Sequence, residues 1–322
     1  MGPLNRLYFL LLIIVCFMIW IYFTKERDIV YIKQPVVDPS SLSHQAGNPE
    51  DQMLILYNRI PKTASTSFMN VVYQLTTVNK FTAAYVNVSS RSHRWLLQDQ
   101  LFFARNITKW HQRKPAVFHG HFPFVSFITM GFPQPIYINV VREPLERLVS
   151  HYYFMRFGDT YLPNKIRKKQ GDKTTFDECV DRKLPDCAPE KLWIQIPYFC
   201  GSDADCWKHG NKAALHRAKR NFLNYYFLVG TTERIGDFVR ILESSFPRIF
   251  EGASSIFGTN GGLHIRKTKK KVPLQQKTID YFSNNPIWKM EREFYDFVRT
   301  RFELIIKQYK EGRKVEYIKV MP

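Results

Sequence analysis

The chain has 322 residues, of which 45% are hydrophobic and 15% aromatic, enough to bury a sizeable core and too apolar for a disordered or fibrous protein. Its 47 Lys and Arg outnumber 28 Asp and Glu, a formal charge of +19. That surplus disfavours a cationic partner and points to nucleic acid, a membrane surface or an acidic polysaccharide.

Residues 7–23, LYFLLLIIVCFMIWIYF, form an uninterrupted apolar run, near the short end of the roughly 17–25 residues that cross a bilayer as a helix. No small-residue cleavage site follows it. The run is therefore expected to be an uncleaved signal anchor between a cytoplasmic tail at 1–6 and a lumenal stem at 24–50. The stem, with Pro35, Pro39, SSLSHQ and GNPED, has no apolar period. Arg6 before the run and Lys25 and Arg27 after it leave the positive-inside rule undecided, so other features must orient the chain. Glycosylation sequons at Asn87 and Asn106 are usable only in a lumenal body. Cys179, Cys187, Cys200 and Cys206 have spacings unlike zinc knuckles and suit disulfides of an oxidising compartment. Four cysteines allow three pairings, of which the neighbour pairs close the shortest loops. A single-pass type II membrane protein of the secretory pathway is expected, and nucleic acid drops out as a partner.

The body, 51–322, opens with MLILYNRI as a buried strand, passes through a loop rich in hydroxyls, and continues as the amphipathic helix SFMNVVYQL. RWLLQDQLFFARNI reads as a second helix, KPAVFHGHF as a strand and QPIYINVVRE as another buried strand. EPLERLVSHYYFMRF follows as a helix with Pro144 in its first turn. The cysteine-bearing middle is expected to be irregular; YYFLVGTTERIGDFVRILESSF supplies a strand and a helix, and NPIWKMEREFYDFVRTRFELIIKQY a long final helix. No internal repeat is present. Strand-length apolar runs alternating with helices predict an α/β fold with a mostly parallel central sheet flanked by helices.

In such sheets ligands sit beyond the carboxyl ends of the strands. Lys62, Thr63, Ser65, Thr66 and Ser67 lie where the first strand hands over to a helix, a place suited to a phosphate-like anion. The loop lacks the glycines of G-x-x-x-x-G-K-[ST], which disfavours a P-loop kinase. Arg142, at the end of a later strand, is a second anion contact. His119 and His121, two apart across Gly120, face the same side of a strand and can take a proton near neutral pH.

RIPKTASTS, FHGHF, INVVREPLERLVSHYYF with RFGD, KQGDKTTFDEC, CAPEKLW, IPYFCG and HIRKT together resemble the heparan sulfate 2-O-sulfotransferase family, over nearly all of residues 53–310. The resemblance implies a P-loop-like sulfotransferase fold in a Golgi enzyme. Its donor would be 3'-phosphoadenosine 5'-phosphosulfate (PAPS, leaving PAP), its acceptor the 2-hydroxyl of iduronate, less often glucuronate, with no metal. A related uronyl 2-O-sulfotransferase of dermatan and chondroitin carries a cysteine- and glycine-containing first loop; PKTASTS favours the heparan enzyme. By resemblance the 5'-phosphosulfate loop falls on Arg59, Lys62, Thr63, Ala64, Ser65, Thr66 and Ser67, with Lys62 against the transferring group. The 3'-phosphate contacts fall on Arg142 and Ser150. His119 matches the catalytic base and His121 a second required imidazole. Asn70, Tyr73, Arg167, Arg266, Thr268 and Lys319 match sugar-chain contacts, and the family's disulfides match the neighbour pairing. Departures are His151 where the family has tyrosine, Ile318 where an acid is expected, and a shortened tail; in relatives the tail reaches a neighbour in a homotrimer. The basic runs NKIRKKQGDK and HIRKTKKK would line the path of the heparan chain. The rival from another class is a heparan-binding Golgi protein without catalysis, against which the intact Lys62, His119 and Arg142 set speaks.

Overall fold

The computed structural model describes residues 49–86, 94–162, 164–259, 271–313 and 315. The expected tail and anchor, the stem up to residue 48, and Asn87, Arg266, Thr268, Ile318 and Lys319 lie outside the described residues. No helix among the described residues is long and apolar enough to cross a membrane.

Five strands form one sheet: β1 (Leu54–Asn58), β2 (Thr82–Tyr85), β3 (Ala116–Gly120), β4 (Ile136–Val141) and β5 (Tyr226–Thr231). Their order is β2-β3-β1-β4-β5, and every pairing is parallel. Tyr57 lies opposite both His119 of β3 and Ile138 of β4. From β1 the chain crosses to the edge strand β2, returns to fill the place of β3 beside β1, and then builds β4 and β5 on the other side. The carboxyl ends of β3, β1 and β4 thus lie side by side at the point where the winding reverses, which is where a crevice opens in such sheets.

Both faces of the sheet are covered, as long apolar parallel strands require. Side chains alternate between two cores: Ile55, Tyr57, Val117, Ile138 and Val140 enter one, while Leu56, Ala116, Phe118, Tyr137 and Val141 enter the other. The first core is closed by α1 (Ser65–Leu75), whose Phe68, Met69, Val71, Val72 and Leu75 are buried. The second is closed in part by α2 (Leu97–Lys109), through Phe103, Ala104 and Ile107. α3 (Pro144–Phe157) begins as expected with Pro144 in its first turn, capped by the Glu143 side chain, which accepts from the Glu146 amide at 2.7 Å. α4 (Lys212–Tyr225) packs Ala214, Leu215, Ala218 and Phe222 into the second core. α5 (Ile235–Ser245) and the end of α6 (Pro286–Lys310) cover the first.

Two expectations change. Thr82–Tyr85 forms an edge strand that the apolar pattern does not announce, because four residues without a run leave only the pairing with β3 to define them. The cysteine-bearing middle is not irregular: it holds helices at Phe176–Asp181 and Gln195–Cys200 besides α4. The two short helices are too brief to persist alone and are fixed by tertiary contacts. Thr175 and Glu178 close a capping box on the first of them, with bonds of 2.7 and 3.2 Å.

The disulfides are Cys179–Cys187 and Cys200–Cys206, the neighbour pairing. Cys179–Cys187 lies in a third core with Leu148, Tyr152 and Tyr153 of α3 and Phe176 and Phe282, so it buttresses the helix that carries Ser150. Converting both Cys179 and Cys187 to serine is expected to lower unfolding free energy by about 2.5 kcal/mol, the chain-entropy value for so short a loop. A denaturant titration of the double variant reads this as a lower midpoint, with a slope equal to or steeper than the parent's because the unfolded chain is no longer cross-linked.

Candidate active site

The loop leaving β1 takes an uncommon path. Lys62 and Ala64 have φ of 71° and 58°, left-handed values that glycine usually supplies in phosphate loops. Alternating handedness turns successive backbone N–H groups inward as an anion-binding nest. Ala64 is the N-cap of α1 and has no side-chain acceptor to offer; its carbonyl takes the Ser67 amide at 3.0 Å, and the positive end of the helix faces the loop. The buried Thr63 hydroxyl donates back to the Ile60 carbonyl at 2.9 Å and stiffens the turn. Lys62 Nζ lies 4.1 Å from the centre of the Phe154 ring on α3. The donor set of this loop, amides plus one ammonium, fits the phosphosulfate end of a nucleotide.

The strand end beside it carries both imidazoles. Arg59 Nη1 lies 3.1 Å from His119 Nδ1, and a guanidinium only donates. His119 Nδ1 therefore accepts, the proton of the neutral ring sits on Nε2, and Nε2–H donates to the Tyr73 hydroxyl at 2.5 Å. Burial, then Arg59 and His121, push His119 down to about 2, so the ring is neutral throughout the physiological range. Burial raises the Tyr73 phenol, which stays protonated. His121 is oriented the other way round: its Nδ1–H donates to the Arg59 carbonyl at 2.7 Å, which leaves Nε2 as the lone-pair nitrogen of the neutral ring. Gly120 between them is required by space, because a Cβ there would stand 2.6 Å from the Val86 carbonyl oxygen. Arg59, Tyr73, His119 and His121, spread over sixty residues of sequence, thus form one cluster.

At the end of β4, Gln195 grips the Arg142 peptide from both sides: the Arg142 N–H donates to Gln195 Oε1 at 3.0 Å, and Gln195 Nε2 donates to the Arg142 carbonyl at 2.9 Å. The Arg142 guanidinium meets Glu146, one turn along α3, at 3.0 Å. Ser150 lies buried on the same helix. Beside it, partial burial and then the cations Arg147, Lys62 and Lys191 lower the His151 imidazole below its ordinary value. Lys62, seated on the Phe154 ring, brings the first loop against α3. Burial and the Arg142 charge lower Lys271, a further cation at this end of the site.

Arg167 is drawn in against the protein beside the first loop. Its guanidinium makes a 3.3 Å ion pair with fully buried Asp159, donates to the Leu162 carbonyl at 3.2 Å and lies 4.4 Å from the centre of the Phe154 ring. Phe154 is thus shared by Lys62 and Arg167, one from each expected half of the site. Tyr85 of β2 stacks obliquely on His119, with ring centres 5.3 Å apart. Asn70 of α1 is half-buried, and Asn106, also half-buried, lies in α2. Among the described residues no group of three or more His, Cys, Asp or Glu side chains is placed to hold a metal.

Beneath Gln195, Glu291 of α6 is fully buried and accepts from the Ile194 and Ile196 amides at 3.0 and 3.1 Å. Burial pushes its carboxyl up to about 7, against the opposing pull of Arg147 and these amides. The folded state then holds a proton that the unfolded chain releases at a lower pH. Stability from this group is complete below the ordinary glutamate range and is lost as pH rises through about 7. Glu291→Gln is expected to flatten that part of the stability profile between pH ~5 and ~8, measured as denaturant midpoints across the range.

Tyr85, Phe154, Gln195, Glu291 and Asp159 are not legible as site residues in the sequence, since each acts through a partner distant in the chain or on another element. A parallel sheet with two cationic positions and an imidazole pair at its carboxyl edge defines an enzyme that moves a group from an anionic nucleotide to an acceptor. The chain belongs to the sulfotransferase family, whose model matches residues 48–298. It is 47% identical over 279 residues to the heparin sulfate O-sulfotransferase of Drosophila melanogaster, covering 85% of this chain and 80% of the relative. It is 50% identical over 258 residues to heparan sulfate 2-O-sulfotransferase 1 of Homo sapiens, covering 80% and 72% of the two chains, and equally so to that of Mus musculus.

Proposed function

We propose that the protein transfers a sulfuryl group from PAPS to the 2-hydroxyl of a uronic acid in heparan sulfate, iduronate in preference to glucuronate. The observation that carries the proposal is the meeting of the left-handed Lys62 loop with the Arg59, His119 and His121 cluster at the ends of adjacent strands. The substrate in the names of the two relatives supports the choice of acceptor. PAPS supplies an activated sulfur whose bond to the nucleotide phosphate breaks as the sugar oxygen bonds to it, in line and through a loose transition state. The loop amides and Lys62 bind the 5' end and stabilise the charge growing on the departing phosphate oxygen. Arg142 and Ser150 bind the 3'-phosphate. The hydroxyl proton passes to the histidine pair, with His119 as the base. A sulfuryl group carries less charge than a terminal phosphoryl group, so these fixed cations suit it.

On the acceptor side Asn70, Tyr73, Arg167, Arg266, Thr268 and Lys319 hold the chain, and the basic surplus attracts it. Residues 7–23 anchor the protein in the Golgi membrane with residues 51–322 in the lumen, as a homotrimer. Incubating the purified lumenal body with labelled PAPS and desulfated heparan tests the function, with disaccharide analysis of the product. Label on 2-O-sulfated iduronate is expected. Label on dermatan or chondroitin alone makes it the related uronyl enzyme, and heparan binding without transfer makes it a non-catalytic receptor.

A further inference from the structure

We propose that Gln195 is a positioning residue for the nucleotide site: its side-chain amide fixes the peptide of Arg142 and so sets where that guanidinium meets the 3'-phosphate. The proposal rests on the assignment of Arg142 to the 3'-phosphate. The geometry is reciprocal. Arg142 is the first residue beyond β4, and the Gln195 amide answers its N–H and its carbonyl together, at 3.0 and 2.9 Å, as a neighbouring strand would. Because the Arg142 N–H can only donate, the orientation of the Gln195 amide is determined. Gln195 is itself fully buried, and its Nε2 lies 3.4 Å from Glu291 Oε2.

Gln195 opens the short helix Gln195–Cys200, which is held at several points. Glu291 takes the Ile194 and Ile196 amides at its start, and Cys200–Cys206 closes its end. Midway, the Tyr198 carbonyl accepts from Asn58 Nδ2 at 3.1 Å, and Asn58 is the last residue of β1, immediately before Arg59. One six-residue helix therefore braces the exits of both β1 and β4, the two strands that deliver the cationic positions. A glutamine suited only to filling space would need neither bond to Arg142. Methionine has a similar length and volume but cannot make either.

The test is calorimetric titration of the full-length chain with PAP and with adenosine 5'-monophosphate, which lacks the 3'-phosphate. The readout is the ratio of the two affinities. Gln195→Met is expected to weaken PAP by about tenfold, a change of ~1.4 kcal/mol, while leaving adenosine 5'-monophosphate within about twofold; a role in general folding would weaken both alike. Arg142→Ala separates the two levels of inference. If it leaves the ratio unchanged, Arg142 does not read the 3'-phosphate and the underlying assignment fails. If Arg142→Ala lowers the ratio and Gln195→Met does not, or if Gln195→Met weakens both nucleotides equally, the positioning role is overturned. Should Gln195→Met not fold, Glu291→Gln keeps the shape of the support but disturbs the donor and acceptor pattern at Gln195. That variant is expected to lower the ratio about threefold, and an unchanged ratio overturns the proposal.

Discussion

Lys62→Ala is expected to lower kcat by about 10²–10³, the loss seen when one charge-stabilising donor is removed from a preorganised site, while the chain folds and still binds PAP. Folding should survive because alanine, like lysine, carries a Cβ at φ 71°, so the strain of the turn is unchanged. Nucleotide binding should survive because it is shared with the loop amides and Arg142. The chemical step has less redundancy: charge on the departing oxygen grows as the sulfur–oxygen bond breaks, and an ammonium already close to that oxygen stabilises the transition state more than the ground state. Lys62 is suited to this by its seat against Phe154, 4.1 Å from the ring centre, which holds a flexible side chain at the mouth of the loop. Lys62→Arg should rescue poorly, because a planar fork does not occupy the place of a compact ammonium. Initial rates at saturating donor and acceptor, with PAP affinity measured on the same samples, decide it. A kcat within about tenfold of the parent would remove Lys62 from the charge-stabilising role.

Much of the fold was readable because its signals were local. Four of the five strands are apolar runs of the length that parallel sheets bury on both faces. Pro144 marked the start of α3, and the aromatic spacing of residues 286–310 marked α6. In α4 a local signal is present but outweighed by composition. Asn211 caps α4, and Ala214, Leu215, Ala218 and Phe222 form its apolar stripe, yet Lys212, Arg217, Lys219 and Arg220 make the segment read as a polar loop. β2 had no comparable signal, since an edge strand of four residues is defined by its partner.

The site divides along the same line. A lysine among hydroxyls after a strand, and two histidines around a glycine, announce themselves because the chain itself places them on one side. What each does depends on contacts across the sheet. Arg59 and His119 are sixty positions apart, and the bond between them decides which imidazole nitrogen carries the proton. Arg167 is basic and lies in a basic run, but a buried aspartate eight residues earlier draws it inward. Gln195 sits in the unremarkable stretch IQIPYFC and becomes meaningful only because β4 ends against it.

His119→Ala is expected to reduce kcat by about 10²–10⁴, the usual contribution of a positioned general base, with PAP binding intact. The structure adds a condition to this role. In the tautomer held by Arg59, Nδ1 is already accepting and Nε2 carries the proton toward Tyr73, so His119 must shed Arg59, which occupies its one basic lone pair, before it can receive the sugar's proton. Arg59 belongs to the loop proposed to grip the phosphosulfate, and a bound anion competes with the imidazole for its guanidinium. Release of Nδ1 would let the ring proton move there, turning Nε2 into the accepting nitrogen, with Tyr73 giving way to the uronate. The pH dependence follows from the lowered pKa. With His119 titrating only at about 2 in the free protein, kcat/KM should show no acid limb from this group at pH ~5–8, because the ring is already neutral there. A free-enzyme limb near the ordinary histidine value of ~6.5 that vanishes in His121→Ala, together with near-normal turnover in His119→Ala, would transfer the base role to His121.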